Sequence, residues 1–209
     1  MTESHSKQRV GILGGSFNPI HIGHLLLAQS ALDQFELGRV FFMPCHIQPH
    51  KARDMLADDR HRLAMVELGI GDNLQFEPLD IELRRGGTSY AIDSVAELQA
   101  LCPDSELFFI IGADTLRELH GWHRIGELLQ RCTFVTLARP GFALEALTPD
   151  DLGFDAPTAR HLLSHVALGR RVDVSSSDIR HRVAEGMSIR YLVPDEVEMY
   201  ICEHGLYRG

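Results

Sequence analysis

The sequence predicts an α/β protein in which a doubly wound parallel sheet carries helices on both faces and is followed by a small C-terminal helical part. Short apolar runs, each ending in a glycine, a proline or a polar turn, alternate along the chain with segments of amphipathic helical spacing. Strands that alternate with helices in this way form βαβ units and a parallel sheet. Ligands of such sheets bind beyond the carboxyl ends of the strands, so we expect the functional residues there.

Four apolar runs are predicted as core strands: RVGILGG, RVFFMP, ELFFIIGAD and CTFVTLARP. Helices are predicted over IGHLLLAQSALDQFE, DRHRLAMVELGI, SYAIDSVAELQALC and RIGELLQRC. Later in the chain, HVALGRRVDV contains two short strand-like runs, which a serine-rich turn and two helices follow. We expect a single domain over residues 1–209, with the sheet core at 9–139, a variable segment at 140–170 and the C-terminal part at 171–209.

Composition narrows the classes of protein that this chain can represent. Its 209 residues are 44% hydrophobic, which suits one globular domain with a full core. A formal net charge of -9 argues against a nucleic-acid or membrane partner but leaves room for a small basic site. The four cysteines form no C-x-x-C pair, and the chain has no signal peptide or membrane-spanning run, so we expect reduced thiols, a cytoplasmic location and no metal held by the protein alone.

The stretch GGSFNPIHIGHL, Gly14 to Leu25, carries the first chemical motif. Gly14 and Gly15 end a strand, and their missing side chains let the backbone turn and approach a ligand closely. A helix is predicted from about Ile22, whose first amides would attract phosphate and whose first turn would place His21 and His24 on one face. Two alternatives remain, namely ordinary surface histidines or a zinc site, although no third zinc ligand stands at a recognisable spacing.

The stretch VSSSDIRHRVAEG carries the second motif, in which serines precede a helix with Arg180 in its first turn. The serines can act as plain N-caps beside a solvated arginine. They can also hold phosphate, since the planar fork of arginine makes paired bonds to phosphate oxygens. Both interpretations of Ser177 and Arg180 can hold together.

These motifs and several others resemble those of the bacterial nicotinate mononucleotide adenylyltransferases, in the HxGH nucleotidyltransferase superfamily. The first histidine motif reads HIGH, and the serine stretch is similar to the S-S/T-x-x-I-R motif of that superfamily. Further matching segments are CHIQPHKARD, LRRGGTSYAIDSV, FFIIGADTLRELHGWHRIGELL, RPGF and YLVPDEVEMYICEHGLYR. The resemblance runs from Val10 to Arg208. It implies a Rossmann-like fold and transfer of an adenylyl group from ATP to nicotinate mononucleotide, which gives deamido-NAD and pyrophosphate.

The resemblance also implies roles for individual residues. The expected ATP site consists of Gly14, Gly15, Ser16, Phe17, His21, Gly23, His24, Gly112, Asp114, Ser177, Ile179 and Arg180. The expected mononucleotide site consists of Lys51, Tyr90, Ala91, Asp114, Trp122 and Arg139. The expected catalytic residues are His21, His24, Lys51 and Arg180. Because the attacking phosphate is already an anion, the expected catalysis is alignment and charge stabilisation, with Mg²⁺ held mainly by the phosphates of ATP.

Two positions depart from the family pattern. Thr88 stands where proline is usual, and Ala91 stands where relatives use a threonine that helps to hold the pyridine carboxylate. Ala91 leaves open nicotinamide mononucleotide as the acceptor, and another phosphate acceptor such as phosphopantetheine, or a non-catalytic nucleotide-binding regulator, is a further alternative. Trp122 can be a core residue instead of a ring-stacking one, and Asp114 can be a helix N-cap. A homo-oligomer is compatible with the sequence.

Overall fold

A computed structural model describes residues 7–49, 56–138, 148–170 and 172–208 of the chain. Within these ranges one sheet contains six strands, all parallel. In chain order they are β1 (Gln8–Gly15), β2 (Arg39–Pro44), β3 (Phe76–Pro78), β4 (Ser105–Gly112), β5 (Thr133–Ala138) and β6 (Val166–Leu168).

Nine α-helices occur in the described part of the chain. They are α1 (Ile22–Gln34), α2 (Asp59–Ile70), α3 (Ile81–Arg85), α4 (Ala91–Leu101), α5 (Ala113–Glu118), α6 (Ile125–Arg131), α7 (Ala156–Ser164), α8 (Ser176–Ala184) and α9 (Asp195–Glu203). Short 3-10 turns lie at Leu119–Gly121 and Pro149–Leu152. Among the helices described, none is long and apolar enough to cross a membrane.

The strand order across the sheet is β3-β2-β1-β4-β5-β6. The chain therefore builds outward from β1 to one edge, returns to the middle at β4, and then builds toward the other edge. In register, Leu13 of β1 lies beside Phe42 of β2 on one side and beside Ile110 of β4 on the other. The gap between the carboxyl ends of β1 and β4 is the switch point, where sheets of this kind bind their ligands.

The helices cover both faces of the sheet, because side chains along each strand alternate between the two faces. On one face Leu13, Phe42 and Ile110 pack in a cluster with residues of α1, α2, α8 and α9. On the other face Ile12 and Phe109 pack in a cluster with residues of α3, α4, α5, α6 and α7. The structure thus confirms the predicted fold class, a doubly wound parallel sheet between two helical layers.

The four predicted core strands and the four predicted helices between them are all present, within a few residues at their ends. Strands β3 and β6 add three residues each at the two edges of the sheet. Of the two strand-like runs in HVALGRRVDV, the first forms β6, but the prediction for the second was wrong. Residues 172–174 lie outside any strand, because the chain leaves the sheet edge after Leu168 and brings Val172 and Val174 to the wall of a cavity.

Candidate active site

Two adjoining cavities lie beyond the carboxyl ends of β1 and β4, and each has a volume of about 620 Å³. The first cavity is bounded by the loop after β1, by the start of α5 and by the serine turn before α8. The second cavity lies against β1, β4, the start of α4 and the segment after α5. Both cavities are lined by His24, Leu27, Gln48 and Gly112. Two ligands bound in these cavities would therefore meet beside His24.

His21 and His24 occupy the start of α1, as the sequence predicts. Their rings are stacked with centroids 3.7 Å apart, and the His21 amide donates a hydrogen bond to Nδ1 of His24 at 3.2 Å. Burial, together with the nearby His21, lowers the pKa of His24 well below the usual histidine value. His24 is consequently neutral near pH 7. Because Nδ1 accepts a hydrogen bond, the ring proton lies on Nε2, which makes the imidazole a hydrogen-bond donor.

Gly23 separates the two histidines for a steric reason. A Cβ atom at Gly23 would lie 3.0 Å from both Cε1 and Nδ1 of His21, closer than nearly all real Cβ contacts. A side chain there would require the His21 ring to shift by a few tenths of an ångström. The glycine of the H-x-G-H motif therefore keeps the two imidazoles together, and it also lines the first cavity.

The loop after β1 turns at a different residue from the one that the sequence suggests. Gly14 and Gly15 continue the strand, and they line the second cavity rather than the first. The left-handed backbone is at Phe17, with φ of 44°. The Phe17 ring is buried between His24 and Phe42, and this packing offsets the unfavourable φ. Ser16 remains at the wall of the first cavity.

The start of α1 also offers fewer free amides than the sequence predicts. The amide of Ile22 donates to the carbonyl oxygen of Leu192 at 3.0 Å, and the amide of His24 donates to the carbonyl oxygen of His21 at 2.9 Å. Two of the amides that would attract phosphate are therefore already bonded within the chain. The polar groups that α1 presents to the first cavity come chiefly from the side chains of His21 and His24.

The serine turn before α8 faces these histidines across the first cavity. Ser175 is the N-cap and accepts a hydrogen bond from the amide of Asp178 at 3.1 Å, so the capping interpretation is correct for this serine. Ser177 and Arg180 line the cavity. Arg180 is half-buried and not simply solvated. It donates through Nη1 to the carbonyl oxygen of Asn18 at 2.8 Å and through Nη2 to Ser177 at 3.3 Å.

The buried Nε of Arg180 has no hydrogen-bond partner in the described part of the chain. Asp114, in the first turn of α5, is exposed and is the one acidic side chain among the described residues that line the first cavity. The N-cap interpretation of Asp114 was wrong, because Gly112 occupies that position. The first cavity is therefore lined by two arginines, Arg170 and Arg180, together with hydroxyls, imidazoles and one carboxylate.

The second cavity is more aromatic. Tyr90, Ala91 and Trp122 all line it. Trp122 also packs edge-on against Phe109 and Phe134, with ring centroids 5.7 and 5.9 Å away. Trp122 is therefore both packed against core rings and part of the cavity wall, and its stacking on a ligand ring stays a prediction. His123, which the sequence reasoning did not select, also lines the cavity, and its ring lies 4.4 Å from that of Tyr90.

Glu82 is a buried carboxyl group at the wall of the second cavity, and sequence reasoning missed it. Ser94 donates a hydrogen bond to it, and Arg85 lies 3.9 Å from it. Burial raises the pKa of Glu82 above its usual value, against the opposing effect of these partners. Glu82 ties α3 to α4 and so helps to fix the start of α4, where Tyr90 and Ala91 are found.

A second missed residue, Arg62, forms hydrogen bonds that hold two loops beside the site in place. It is completely buried and donates to the carbonyl oxygens of Ser16 at 2.8 Å and Ala57 at 3.0 Å. It also pairs with Asp59, which in turn bonds His46. The signal in the sequence is an arginine on the apolar stripe of α2, with Met65, Val66 and Gly69 three, four and seven residues later.

Asn18 is the third missed residue, and it joins the loop after β1 to distant parts of the chain. Its side-chain oxygen accepts hydrogen bonds from the amide of Ala57 at 3.0 Å and from the hydroxyl of Tyr207 at 2.8 Å. Its carbonyl oxygen accepts from Arg180. The C-terminal segment thereby helps to hold the loop that carries Ser16.

The structure brings together most of the residues that the sequence selects. The side chains of Phe17 and Ile179 are buried in the core, and neither residue lines either cavity. Lys51 and Arg139 lie outside the described residues, and their roles stay predictions. Within the described ranges there is no group of three or more histidine, cysteine, aspartate or glutamate side chains placed to hold a metal ion.

Two cavities of this size, meeting at a neutral hydrogen-bond donor beyond the switch point of a doubly wound sheet, suit a protein that joins two nucleotides. The class that the fold and the site define is therefore a nucleotidyltransferase. The sequence profile of the cytidylyltransferase-like family matches residues 12–182. The chain belongs to that family, in its nicotinate-nucleotide adenylyltransferase branch.

Relatives named nicotinate-nucleotide adenylyltransferase support this placement. The one from Geobacillus thermodenitrificans is 42% identical over 199 residues, which cover 95% of this chain and 86% of the relative. The one from Halalkalibacterium halodurans is 44% identical over 202 residues, covering 96% and 92%. The Plasmodium falciparum nicotinic acid mononucleotide adenylyltransferase complexed with NaAD has the same fold, with a TM-score of 0.73, 18% identity and coverage of 96% and 97%.

Proposed function

We propose that this protein transfers the adenylyl group of ATP to nicotinate mononucleotide, giving deamido-NAD and pyrophosphate in NAD biosynthesis. The observation that carries the proposal is the meeting of the two cavities at His24. The names of the relatives at 42% and 44% identity support it. The Plasmodium protein of the same fold, which was solved with NaAD and also with APC, supports it further.

In this proposal ATP occupies the first cavity. The guanidinium of Arg180 and the hydroxyl of Ser177 hold the outer phosphates, and Ser16 contacts the triphosphate from the loop after β1. The unpartnered Nε of Arg180 and the exposed cavity wall at Ser177 support this assignment. Lys51, which precedes α2, is proposed to approach the phosphates from the other side of the cleft.

Nicotinate mononucleotide occupies the second cavity. The partly exposed ring of Trp122 offers a flat apolar face to the pyridine ring, while its edge contacts with Phe109 and Phe134 hold it in place. Tyr90 and Ala91 lie at the same cavity, and Arg139 is proposed to approach it after β5. The 5'-phosphate of the mononucleotide then points toward the junction of the two cavities.

The reaction is a displacement at phosphorus. An oxygen of the mononucleotide phosphate forms a bond to the α-phosphorus of ATP, the bond from that phosphorus to the β-phosphate bridging oxygen breaks, and pyrophosphate leaves with that electron pair. No proton has to be removed from the nucleophile. Neutral His24 donates from Nε2 to an α-phosphate oxygen, and His21, stacked on it, donates beside it. The protein contributes alignment and charge stabilisation rather than a covalent intermediate.

A magnesium ion fits the first cavity as a companion of ATP. Asp114 is exposed at the cavity wall, and carboxylate and phosphate oxygens are the ligands that Mg²⁺ prefers. When bound, the ion would neutralise charge on the leaving pyrophosphate. Asp114 would hold the metal-nucleotide complex, while Arg180 and Ser177 hold the phosphates directly. The four free cysteines support a cytoplasmic location for this activity.

The test is pyrophosphate release from ATP with either nicotinate or nicotinamide mononucleotide, with chromatographic identification of the dinucleotide. We expect release with both substrates present and a higher kcat/KM for the acid. A higher value for the amide would replace the acceptor in this proposal. ATP binding without pyrophosphate release, with either mononucleotide or with phosphopantetheine, would instead support the non-catalytic regulator.

A further inference from the structure

The second cavity has to distinguish a pyridine carboxylate from a pyridine amide, and this chain lacks one side chain suited to the task. Ala91, at the start of α4, presents a methyl group at the cavity where a hydroxyl would be a donor. A carboxylate has four lone-pair sites and no donor, so it needs hydrogen-bond donors or a positive charge around it. The donor then has to come from backbone amides, from water or from another side chain of the cavity wall.

The charges around the second cavity restrict the choice. Among the described residues that line it there are two carboxyl groups, Glu82 and Glu118, and no lysine or arginine. Glu82 is buried and accepts a hydrogen bond from Ser94. Its carboxyl group is therefore already engaged within the chain. The side chains there that can carry a positive charge are the imidazoles of His24 and His123.

His24 does not fit the task. Its pKa is lowered, its Nδ1 already accepts a hydrogen bond, and it lies at the junction with the first cavity, where the phosphates react. His123 differs in its position and in its bonding. It is exposed, it forms no hydrogen bond to any residue that the structure describes, and it directly follows Trp122, the proposed platform for the pyridine ring.

The ring of His123 is also held in a defined position. It stands 4.4 Å from the ring of Tyr90, at an interplanar angle of 37°, so two aromatic groups form one rim of the cavity. The nearby Arg124 is engaged by Glu127 through two hydrogen bonds of 2.8 and 2.6 Å. Arg124 is thus already paired, whereas the ring nitrogens of His123 remain available to a ligand.

We propose that His123 is a specificity-determining residue, whose imidazole donates a hydrogen bond to the pyridine carboxylate of nicotinate mononucleotide and takes the place of the hydroxyl that Ala91 lacks. This rests on the proposed function. A hydrogen bond to a carboxylate is stronger than one to a neutral amide, and a positive charge on the ring strengthens it further. The result is selection of the acid over the amide.

The experiment compares kcat/KM for nicotinate and nicotinamide mononucleotides in the full-length protein and three variants. His123→Phe keeps an aromatic ring beside Tyr90 and removes both ring nitrogens, while His123→Arg supplies a permanent cation. The matched control is His120→Phe, the same substitution at an exposed histidine that lines neither cavity. Thermal unfolding of each variant checks that it is folded.

In His123→Phe we expect the preference for the acid to fall by about tenfold or more, the size expected for losing one bond to a charged group. The loss should reside in KM for the acid, with kcat nearly unchanged, and His123→Arg and His120→Phe should keep the preference. An unchanged preference in a folded His123→Phe protein overturns the inference, as does a wild-type protein that turns over both acceptors equally well. If the wild-type protein turns over neither mononucleotide, the proposed function itself fails.

Discussion

At the scale of single residues, the chemistry of His24 comes from its surroundings. An isolated histidine is partly protonated near pH 6.5, whereas burial and the adjacent His21 keep His24 neutral at that pH. The hydrogen bond from the His21 amide then places the proton on Nε2. A neutral donor suits a site that must bind polyanions without trapping them, because its interaction with phosphate is weaker than that of a cation.

The lowered pKa of His24 makes a prediction about stability. Between the lowered folded pKa and the usual value of about 6.5, the unfolded chain binds a proton that the folded protein does not. The free energy of unfolding should therefore rise with pH as the pH increases toward 7, and it should fall as the solution becomes acidic. Urea unfolding at pH 5, 6 and 7 should show a shallower rise for His24→Gln than for the wild type. Equal slopes would contradict a neutral, buried His24.

Gly23 provides a second prediction at this scale. In Gly23→Ala, the new Cβ would lie 3.0 Å from the His21 ring, so the ring would have to shift by a few tenths of an ångström from its stacked position. We expect kcat for adenylyl transfer to fall by roughly tenfold, less than the ~100-fold associated with misplacing a catalytic group by about an ångström. The control is Gly126→Ala on α6, where a Cβ meets nothing within 4 Å. Normal kcat in folded Gly23→Ala would show that the stacking is dispensable.

At the scale of elements, the site depends on loops that are fixed by hydrogen bonds from α2 and from the C-terminal segment. Helix α2 carries Arg62 into the interior, where its guanidinium links the loop after β1 to the segment before α2. The C-terminal segment adds Tyr207, which bonds Asn18 in the same loop. Burial raises the pKa of Tyr207 above its usual value, so the hydroxyl is protonated and can donate near neutral pH. The loops are thus fixed by elements remote in sequence.

Replacement of Arg62 tests this arrangement. Arg62→Met keeps an unbranched apolar stem, leaves the carbonyl oxygens of Ser16 and Ala57 without this donor and removes the ion pair with Asp59. We expect a loss of about 3 kcal/mol in the free energy of unfolding, typical of removing one partner from a buried charged network. Chemical denaturation measures this loss. The control is Arg60→Met, on the exposed side of the same helix, which should change the free energy of unfolding by less than about 0.5 kcal/mol. An equally small change in Arg62→Met would show that Arg62 does not stabilise these loops.

At the scale of the whole molecule, hydrophobic periodicity in the sequence predicts the long strands and helices. It predicts little about the short edge strands and the loops. Strands β1, β2, β4 and β5 are six to eight residues long and mostly apolar, and they could be predicted. Strands β3 and β6 have three residues each, too few for any repeating pattern. They become strands only because the edges of an existing sheet offer unpaired backbone groups.

The same distinction applies to the candidate site. His21, His24, Ser177 and Arg180 belong to short linear motifs, so they could be selected before the structure was known. Asn18 could not, because the hydroxyl that it bonds lies 189 residues away. Arg62 stands out in the sequence only as an arginine on the apolar stripe of α2, and its partner Ser16 lies 46 residues away. His123 carries no local pattern, and only the packing of α4 against the segment after α5 places it beside Tyr90.

Charge is also distributed unevenly over the molecule. The chain has a formal net charge of -9, yet the first cavity contains Arg170 and Arg180 with Asp114 as its one acidic side chain among the described residues. A cleft lined by one sign of charge concentrates ligands of the opposite sign, even on a protein whose net charge repels them. The first cavity is thus suited to the triphosphate of ATP, whereas the described residues that line the second cavity include no lysine or arginine.

The central claim is that a neutral His24, at the junction of the two cavities, donates a hydrogen bond during adenylyl transfer. The most direct measurement is kcat for pyrophosphate release, at saturating ATP and nicotinate mononucleotide, in His24→Ala, His24→Asn and His24→Gln. The glutamine amide reaches about as far as Nε2, whereas the asparagine amide mimics only the Nδ1 position.

We predict that kcat falls by about 100-fold or more in the alanine and asparagine variants, the usual cost of losing a donor to the developing charge, and by clearly less in the glutamine variant. All three variants should bind ATP and unfold cooperatively. Near-normal kcat in His24→Ala, or the same loss of kcat in all three variants, would contradict a hydrogen bond donated from Nε2 of His24.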